Sequence, residues 1–236
     1  MSLFTPPSDY HRIKVVRSFE ELISTPLSDG LNALCWPRTL PGDFGEVVRH
    51  LEVEPGITTL EDEVLEGLPV SAAGRVAIEV MLADQRLLRA QDLSPCLDSV
   101  HGYLPAESPG LLRTDVCSFH ADSATVEADT WLCTYHGLSS EGLRNDEAVR
   151  RVDLPETRAM LLAAYGGPDD EGFREFLNEH CYDLHYVPKA GARPFFFGFG
   201  NLWRIAVEYP GSPVPPCIHR APDPIPGQPP RLLLLS

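Results

Sequence analysis

The chain has 236 residues, with 19 Lys and Arg against 34 Asp and Glu, which gives a formal net charge of −15. A hydrophobic share of 43% with 22% charged residues is typical of globular proteins and excludes a disordered or fibrous chain. The acidic excess excludes nucleic acids and anionic membranes as expected partners, because both bind clustered Lys and Arg. At this length we expect one domain spanning residues 1–236.

No targeting or membrane-spanning segment is expected. Residues 1–14 contain Pro6, Pro7 and Asp9 and have no apolar stretch, so they do not resemble a secretory signal. The longest strongly apolar run, residues 232–235, is far shorter than the roughly 20 residues that cross a bilayer. The six cysteines form no CxxC pair, and we expect reduced thiols. These features together predict a cytoplasmic protein.

The first part of the chain, about residues 1–110, is predicted to form a mainly helical cover. Two residue pairs fit helix-capping patterns: Ser18 with Glu21 and Asp43 with Glu46. The clearest helix spans about residues 71–90, where apolar side chains recur every three or four positions on one face. This helix is expected to cover one side of the core.

The remainder, about residues 111–236, is predicted to form a β-rich core with a helical insertion at 145–180. Strand-like composition marks five segments: 115–120, 124–135, 195–207, 217–219 and 231–235. Within the insertion, Asp153 and Pro155 predict the start of one helix, Gly166 predicts its end, and Asp169 predicts the start of another. Because the last strand ends the sequence, we expect the N-terminal helices or a second subunit in a homodimer to cover its edge.

His120 and Asp122 are the first residues that indicate chemistry. If their segment is a strand, both side chains point to one face, because strand side chains alternate with period two. A second, distant histidine would complete a set of two imidazoles and one carboxylate on one side of a metal ion. We predict that His219 is this ligand, in a short strand-like segment before the final strand. Such a site leaves coordination positions open for other ligands.

Arg231 opens the final strand and stands among four leucines. A guanidinium in that setting needs an anionic partner, and its planar fork fits a carboxylate with two parallel hydrogen bonds. A dicarboxylate cosubstrate would supply that partner. Tyr135, on the strand that follows Asp122, carries a hydroxyl that could reach the same carboxylate while its ring lines the pocket.

These residues, in this order, resemble the signature of the iron(II)/2-oxoglutarate-dependent oxygenases. The pattern is His120-x-Asp122, then His219, then Arg231 at the start of the last strand. More closely, five segments are similar to a family of domains of uncharacterised function: CSFHAD (117–122), LCTY (132–135), HRAP (219–222), RLLL (231–234) and LCWPR (34–38). The resemblance covers about residues 31–236.

The resemblance implies a double-stranded β-helix, or cupin-like jelly roll, in an α+β chain with the N-terminal helices packed on it. It implies iron(II) held by His120, Asp122 and His219, with 2-oxoglutarate as cosubstrate bound to the metal and anchored by Arg231 and Tyr135. The expected activity is therefore that of a dioxygenase, which uses molecular oxygen to oxidise a C–H bond of a small, amino-acid-like substrate. Hydroxylation is the default outcome, and desaturation or cyclisation would use the same site.

Several alternatives stay open at this point. The same ligands could serve a metal-dependent cupin enzyme that does not use 2-oxoglutarate, or a non-catalytic protein that binds a metal or a small ligand. His180 and His185, with Cys181 and Asp183 between them, are a second candidate metal site. The substrate carboxylate has four candidate partners: Arg38, Arg113, Arg193 and Arg204. Serine hydrolases and nucleotide-binding loops are disfavoured, because their glycine-rich motifs are missing from the sequence.

Overall fold

A computed structural model describes residues 4–52, 54–103 and 110–236. Within these ranges the chain forms a mixed α+β structure with a large β-sheet and six α-helices, which agrees with the fold class expected from the sequence. The double-stranded β-helix is not confirmed, because no sheet in the described part of the chain closes into a barrel. Among the described residues, no helix has the length and hydrophobicity needed to span a bilayer.

The described strands, in chain order, are β1 (Ile13–Val15), β2 (Ala33–Trp36), β3 (Gly56–Thr59), β4 (Cys96–His101), β5 (Asp129–His136), β6 (Glu141–Leu143), β7 (Ala148–Arg150), β8 (Tyr186–Pro188), β9 (Phe195–Phe196), β10 (Leu202–Ala206), β11 (Ile218–Arg220) and β12 (Arg231–Leu235). The large sheet has the order β1-β2-β10-β5-β12-β4-β3, and only β1 and β2 run parallel. A small sheet has the order β11-β6-β9, and β7 pairs with β8.

The helices are α1 (Phe19–Ser24), α2 (Phe44–His50), α3 (Asp62–Glu66), α4 (Ala72–Arg89), α5 (Pro155–Tyr165) and α6 (Glu171–Glu179). Helices α1 to α4 bury their apolar side chains against one face of the large sheet, in the main hydrophobic core. Helices α5 and α6 pack on each other in a separate core, in the insertion between β7 and β8. The opposite face of the large sheet is therefore free of the four N-terminal helices.

The predicted helix starts agree with the structure at most positions. The Ser71 hydroxyl accepts hydrogen bonds from two backbone N–H groups of α4, which runs to Arg89 as expected. Ser18 and Asp43 cap α1 and α2 through the N–H groups of Glu21 and Glu46. Helix α5 begins at Pro155 and is capped at its end by Gly166, although a 3-10 turn rather than the Asp153 side chain precedes it. The capping residue of α6 is Asp170, one position after the prediction.

The described N-terminal part contains more helix than strand, but it also holds four strands that the sequence did not predict, β1 to β4, which join the large sheet. These strands are short, and β2 is buried on both faces, so neither length nor alternation reveals it. The final strand is also not an edge. Strand β12 lies between β5 and β4, so neither a helix nor a second subunit is needed to cover it. The edges of the sheet are β1 and β3.

The expected strands between residues 111 and 220 are shorter than predicted. Within the segment 115–120, residues 115–118 form bends and turns, and only His120 makes strand-type bridges. Strand β5 begins at Asp129, and the segment 195–207 divides into β9 and β10. A bend between them at Gly198 and Gly200, both at positive φ, breaks the aromatic run.

Candidate functional site

His120 and His219 face each other on neighbouring segments of the small sheet. The N–H of each donates to the carbonyl of the other, with both N···O distances 2.9 Å. Residues paired in this way present their side chains on the same face, and the two imidazole centroids lie 4.6 Å apart. Asp122, two positions after His120, points to the same side. The backbone pairing therefore brings together the three metal ligands predicted from the sequence.

The three side chains form a group that could bind a metal ion. Their ligand atoms lie within 4.8 Å of one another. The His120 Nε2 to Asp122 Oδ1 distance is 3.5 Å, and the His219 Nε2 to Asp122 Oδ2 distance is 3.6 Å. Two ligands that each lie about 2.1 Å from one ion are about 3 to 3.5 Å apart, so small side-chain movements suffice to close around an ion. Two imidazoles and one carboxylate suit transition metals such as iron or zinc.

Neighbouring groups orient each ligand. The Nδ1 atom of His120 lies 2.8 Å from the Ser118 carbonyl, and that of His219 lies 3.3 Å from the Cys217 carbonyl. A carbonyl accepts only, so each Nδ1 carries the proton and each Nε2 presents its lone pair to the shared point. The Thr130 hydroxyl donates to Asp122 Oδ2 at 2.5 Å and fixes the carboxylate. Such outer contacts are typical of metal sites.

The electrostatics of the group also favour a cation. Burial disfavours the charged form of Asp122, yet the two facing imidazoles and the Thr130 hydroxyl hold the pKa of this carboxyl well below its ordinary value. Burial lowers the pKa of His219 and so favours its neutral form, although the Asp122 carboxylate acts in the opposite direction. For His120, the effect of burial is outweighed by Asp122 and the Ser118 carbonyl, which raise its pKa. The arrangement is an ionised carboxylate beside two imidazoles.

Arg231 lies in the same cavity and is buried, with 6% of its surface exposed. Its guanidinium donates to the Leu138 carbonyl at 2.7 Å, to the Tyr103 hydroxyl at 3.0 Å and to the Ser140 hydroxyl at 3.0 Å. No carboxylate among the described residues pairs with it, and burial lowers its pKa. Among the described residues these three neutral acceptors leave two of the five N–H donors without a partner, so the side chain is able to bind an anion.

Gly137 allows the start of β12 to approach the turn after β5. Its φ is +84°, and a Cβ at this position would lie 2.8 Å from Cγ of Arg231 and 2.9 Å from its Cα. Both distances are shorter than real contacts, so a larger residue would displace the arginine. The position of Arg231 therefore depends on a glycine that the sequence patterns did not single out.

The cavity lies between the two sheets and has a volume of about 440 Å³. The large sheet contributes side chains from β3, β4, β5 and β12, and the other wall carries His120, His219 and Ser140. A cleft of this size is in the range of small-molecule sites. His120, Asp122 and His219 thus border the same space as Arg231.

Tyr135 is not part of this cavity, and the role predicted for it is wrong. Its ring lies in the core on the helical face of the large sheet, stacked on Phe44 at 5.5 Å between centroids. Its hydroxyl donates to Asp84 Oδ2 at 2.6 Å, in a buried group where Asp84 also pairs with Arg38. Thr130 and Leu132 of the same strand line the cavity, and Tyr135 points the other way because strand side chains alternate.

A different tyrosine, Tyr103, contacts Arg231 in place of Tyr135. Tyr103 follows β4 by two residues, and no pattern around it indicates a site. Ser140 and Thr130 were missed for the same reason. Each is an isolated hydroxyl whose role depends on which segments pair across the fold.

The second candidate metal site does not form. His180 hydrogen-bonds the Phe176 carbonyl and stacks on Tyr182, whereas His185 lies beside His120 with the ring centroids 5.8 Å apart. The interval between the two histidines spans the end of α6 and a 3-10 turn. His185 is buried, and its Nδ1 atom has no partner among the described residues.

Three of the four arginines considered for a substrate carboxylate already have partners within the chain. Arg38 pairs with Asp84 at 2.6 Å and Arg204 with Asp129 at 2.6 Å. Arg113 pairs with two carboxylates, those of Asp115 and Asp223. None of the four lines the cavity.

Comparison with protein-family models, with curated proteins and with solved structures found no match for this chain. The resemblance to the oxygenases therefore depends on the residues themselves, of which the structure shows the His120, Asp122 and His219 group together in space.

Proposed function

We propose that this chain is an iron(II)- and 2-oxoglutarate-dependent oxygenase. The observation that carries the proposal is that one cavity is shared by a two-histidine, one-carboxylate group and a buried arginine to which the described residues offer no acidic partner. A metal site alone would fit many proteins. The additional guanidinium, which pairs with no carboxylate of the described residues, fits a metal-bound organic acid that carries a second carboxylate at its far end.

The described residues fit both groups. His120, Asp122 and His219 would hold the metal through Nε2, carboxylate and Nε2 atoms, all from one wall of the cavity, which leaves the side toward the cavity open. Arg231 would hold the distal carboxylate of 2-oxoglutarate with its unpaired N–H donors. In this proposal the two sheets correspond to the two walls of a double-stranded β-helix.

The chemistry that the metal supplies in such enzymes is the reduction of dioxygen, with 2-oxoglutarate converted to succinate and carbon dioxide while one oxygen atom oxidises a substrate C–H bond. The protein's part is to bind, orient and exclude water. The Ser118 and Cys217 carbonyls hold the imidazole tautomers, and Thr130 holds the Asp122 carboxylate. Tyr103 and Ser140 hold the guanidinium of Arg231.

The test is an anaerobic titration of the iron(II)-loaded protein with 2-oxoglutarate, followed through the weak visible charge-transfer band of the chelate. We expect the band in wild type and in the surface control Arg89→Met, on the far side of the large sheet in α4. In Arg231→Met the affinity for 2-oxoglutarate should fall by about tenfold to a hundredfold, since the lost contact is a charge-assisted pair, while iron binding should be retained.

The competing functions predict other results. Bound iron with no band at any concentration of 2-oxoglutarate would contradict the cosubstrate and favour a cupin enzyme or a binding protein that uses the same ligands. Preference for zinc, together with no 2-oxoglutarate-dependent oxygen consumption, would favour the non-catalytic protein. Retention of 2-oxoglutarate affinity in Arg231→Met would contradict the assignment of Arg231.

A further inference from the structure

Asp98 is a second unpaired charge in the cavity. It lies on β4 opposite Thr59 of β3 and Leu233 of β12, and its side chain faces the same space as the metal-ligating group. Only 9% of its surface is exposed. The Thr59 hydroxyl donates to Oδ1 at 2.8 Å, which leaves Oδ2 without a hydrogen-bond donor among the described residues.

No basic side chain neutralises this carboxylate. Within the described ranges, no Lys, Arg or His nitrogen pairs with it, and residues 1–3, 53 and 104–109 include no Lys, Arg or His. Arg231 is on the adjacent strand, two residues further along, at about 8 Å between Cα positions from strand geometry. Its guanidinium is directed to Leu138, Tyr103 and Ser140 instead.

The surroundings make an unpaired carboxylate unfavourable. Val100 flanks Asp98 two positions along its strand, Leu233 lies beside it on β12, and Leu235 and Leu132 continue the apolar floor of the cavity. A buried carboxylate among apolar side chains is costly unless a cation or several donors compensate. The one hydroxyl from Thr59 compensates in part. A ligand with a cationic group at Oδ2 would supply the compensating charge that the described residues do not provide.

We propose that Asp98 binds the ammonium group of the substrate, which is therefore an aliphatic amine whose hydrocarbon part lies on Val100 and Leu233. This inference rests on the proposed function for the reaction, because the bound amine would offer its C–H bonds to the oxygenase site. An ammonium group has three N–H donors and no acceptor. It therefore complements Asp98 Oδ2, an acceptor that receives no hydrogen bond from the described residues. The net charge of −15 favours the approach of cations.

Calorimetry on the full chain, without added metal, tests the binding step by itself. We expect a series of straight-chain amines from butylamine to octylamine to include members that bind, while the matching alcohols do not. The corresponding α-amino acids form a second arm, which distinguishes a simple amine from an amino acid as the source of the ammonium. Binding of alcohols as tightly as amines, or binding of no amine or amino acid in the series, would overturn the inference.

Asp98→Asn provides the matched variant, because it keeps the shape and the acceptor for Thr59 but removes the charge. It should weaken amine binding at least about tenfold. Asp92→Asn, in the turn after α4 and outside the cavity lining, should bind amines like wild type. Equal amine affinity in Asp98→Asn and wild type would overturn the assignment. If Asp98→Asn does not fold, the comparison of amines with alcohols in the wild-type protein still tests whether the cavity binds an ammonium group.

The two proposals fail in different ways. Amine binding that depends on Asp98, without a 2-oxoglutarate band in the iron-loaded protein, would support the amine site and contradict the oxygenase. A band that depends on Arg231, without amine binding, would support the oxygenase and contradict the amine site.

Discussion

Replacement of Tyr135 by Phe tests whether this tyrosine stabilises the core or binds the cosubstrate. The substitution removes one hydroxyl and leaves the ring stacked on Phe44. The lost hydrogen bond runs to Asp84 Oδ2 at 2.6 Å, in a group in which Arg38 Nη1 and Nη2 lie 2.6 and 2.8 Å from the same carboxylate. A buried hydrogen bond to a charged group contributes about 1.5 to 3 kcal/mol.

A loss of about 2 kcal/mol in the free energy of unfolding should be visible in urea. With an m-value of about 2 kcal/mol/M, the unfolding midpoint of Tyr135→Phe should fall by about 1 M. The affinity of the iron-loaded protein for 2-oxoglutarate should not change, because the hydroxyl lies on the helical face of the large sheet and the cavity lies on the other.

Tyr103→Phe is the matched control, with the same chemical change on the cavity side. Its hydroxyl accepts from Arg231 Nη1 at 3.0 Å, so its removal should weaken 2-oxoglutarate binding several-fold through a less well held guanidinium. The reasoning would be refuted if Tyr135→Phe lowered cosubstrate affinity while the urea midpoint stayed at the wild-type value.

Two further predictions concern the metal-ligating wall. Thr130→Val removes the hydroxyl that donates to Asp122 and should lower metal affinity about 10- to 100-fold in a metal titration. The control Thr134→Val, on the same strand, should leave metal affinity unchanged, because the Thr134 hydroxyl has no partner among the described residues. Burial and the charge of His120 lower the pKa of His185 from 6.5 to about 4. Between these pH values the unfolded metal-free chain binds a proton at His185 that the folded chain does not, so the free energy of unfolding falls as the pH falls through this window. In urea unfolding at pH 7 and pH 4, the decrease should be about 3 kcal/mol larger in wild type than in His185→Gln.

Local signals in the sequence predict the elements that local interactions determine. Helix α4 has both a capping serine and a continuous apolar face, and α5 has a proline at its start and a glycine in the left-handed conformation at its end. Strand β12 is an uninterrupted apolar run, which is typical of a strand buried on both faces. Each of these features is contained within about 20 residues of chain.

Elements that depend on distant pairing were not predictable in the same way. Strands β1 to β4 are three to six residues long and become strands because β10, β12 and one another supply their hydrogen bonds. The register between β5 and β12 also shifts between Leu232 and Leu233, close to Tyr135. Such an irregularity changes which side chains face the cavity, and nothing in the residue pattern marks it.

The same distinction between local and distant interactions applies to the candidate site. The spacing of His120 and Asp122 predicts a shared side if their segment is a strand; in the structure only His120 makes strand-type bridges, and its direct backbone pair with His219 brings the three side chains together. The sequence could not show that Tyr103 rather than Tyr135 would reach Arg231. The alternation of side chains along a strand shows which residues share a face, but it does not show which face borders the cavity. Asp98 was missed because β4 itself was not predicted.

The two faces of the large sheet differ in whether their buried charged side chains pair with each other. On the helical face, Arg38 and Asp84 neutralise each other at 2.6 Å, and Tyr135 completes the group. On the cavity face, Arg231 and Asp98 are on adjacent strands and both buried, with 6% and 9% of their surface exposed. Each is held by hydroxyl or carbonyl groups, and neither pairs with the other. Charges that only stabilised the fold would gain by pairing. Their separation in one cavity is therefore what the two proposed ligands require, an organic acid at Arg231 and an amine at Asp98.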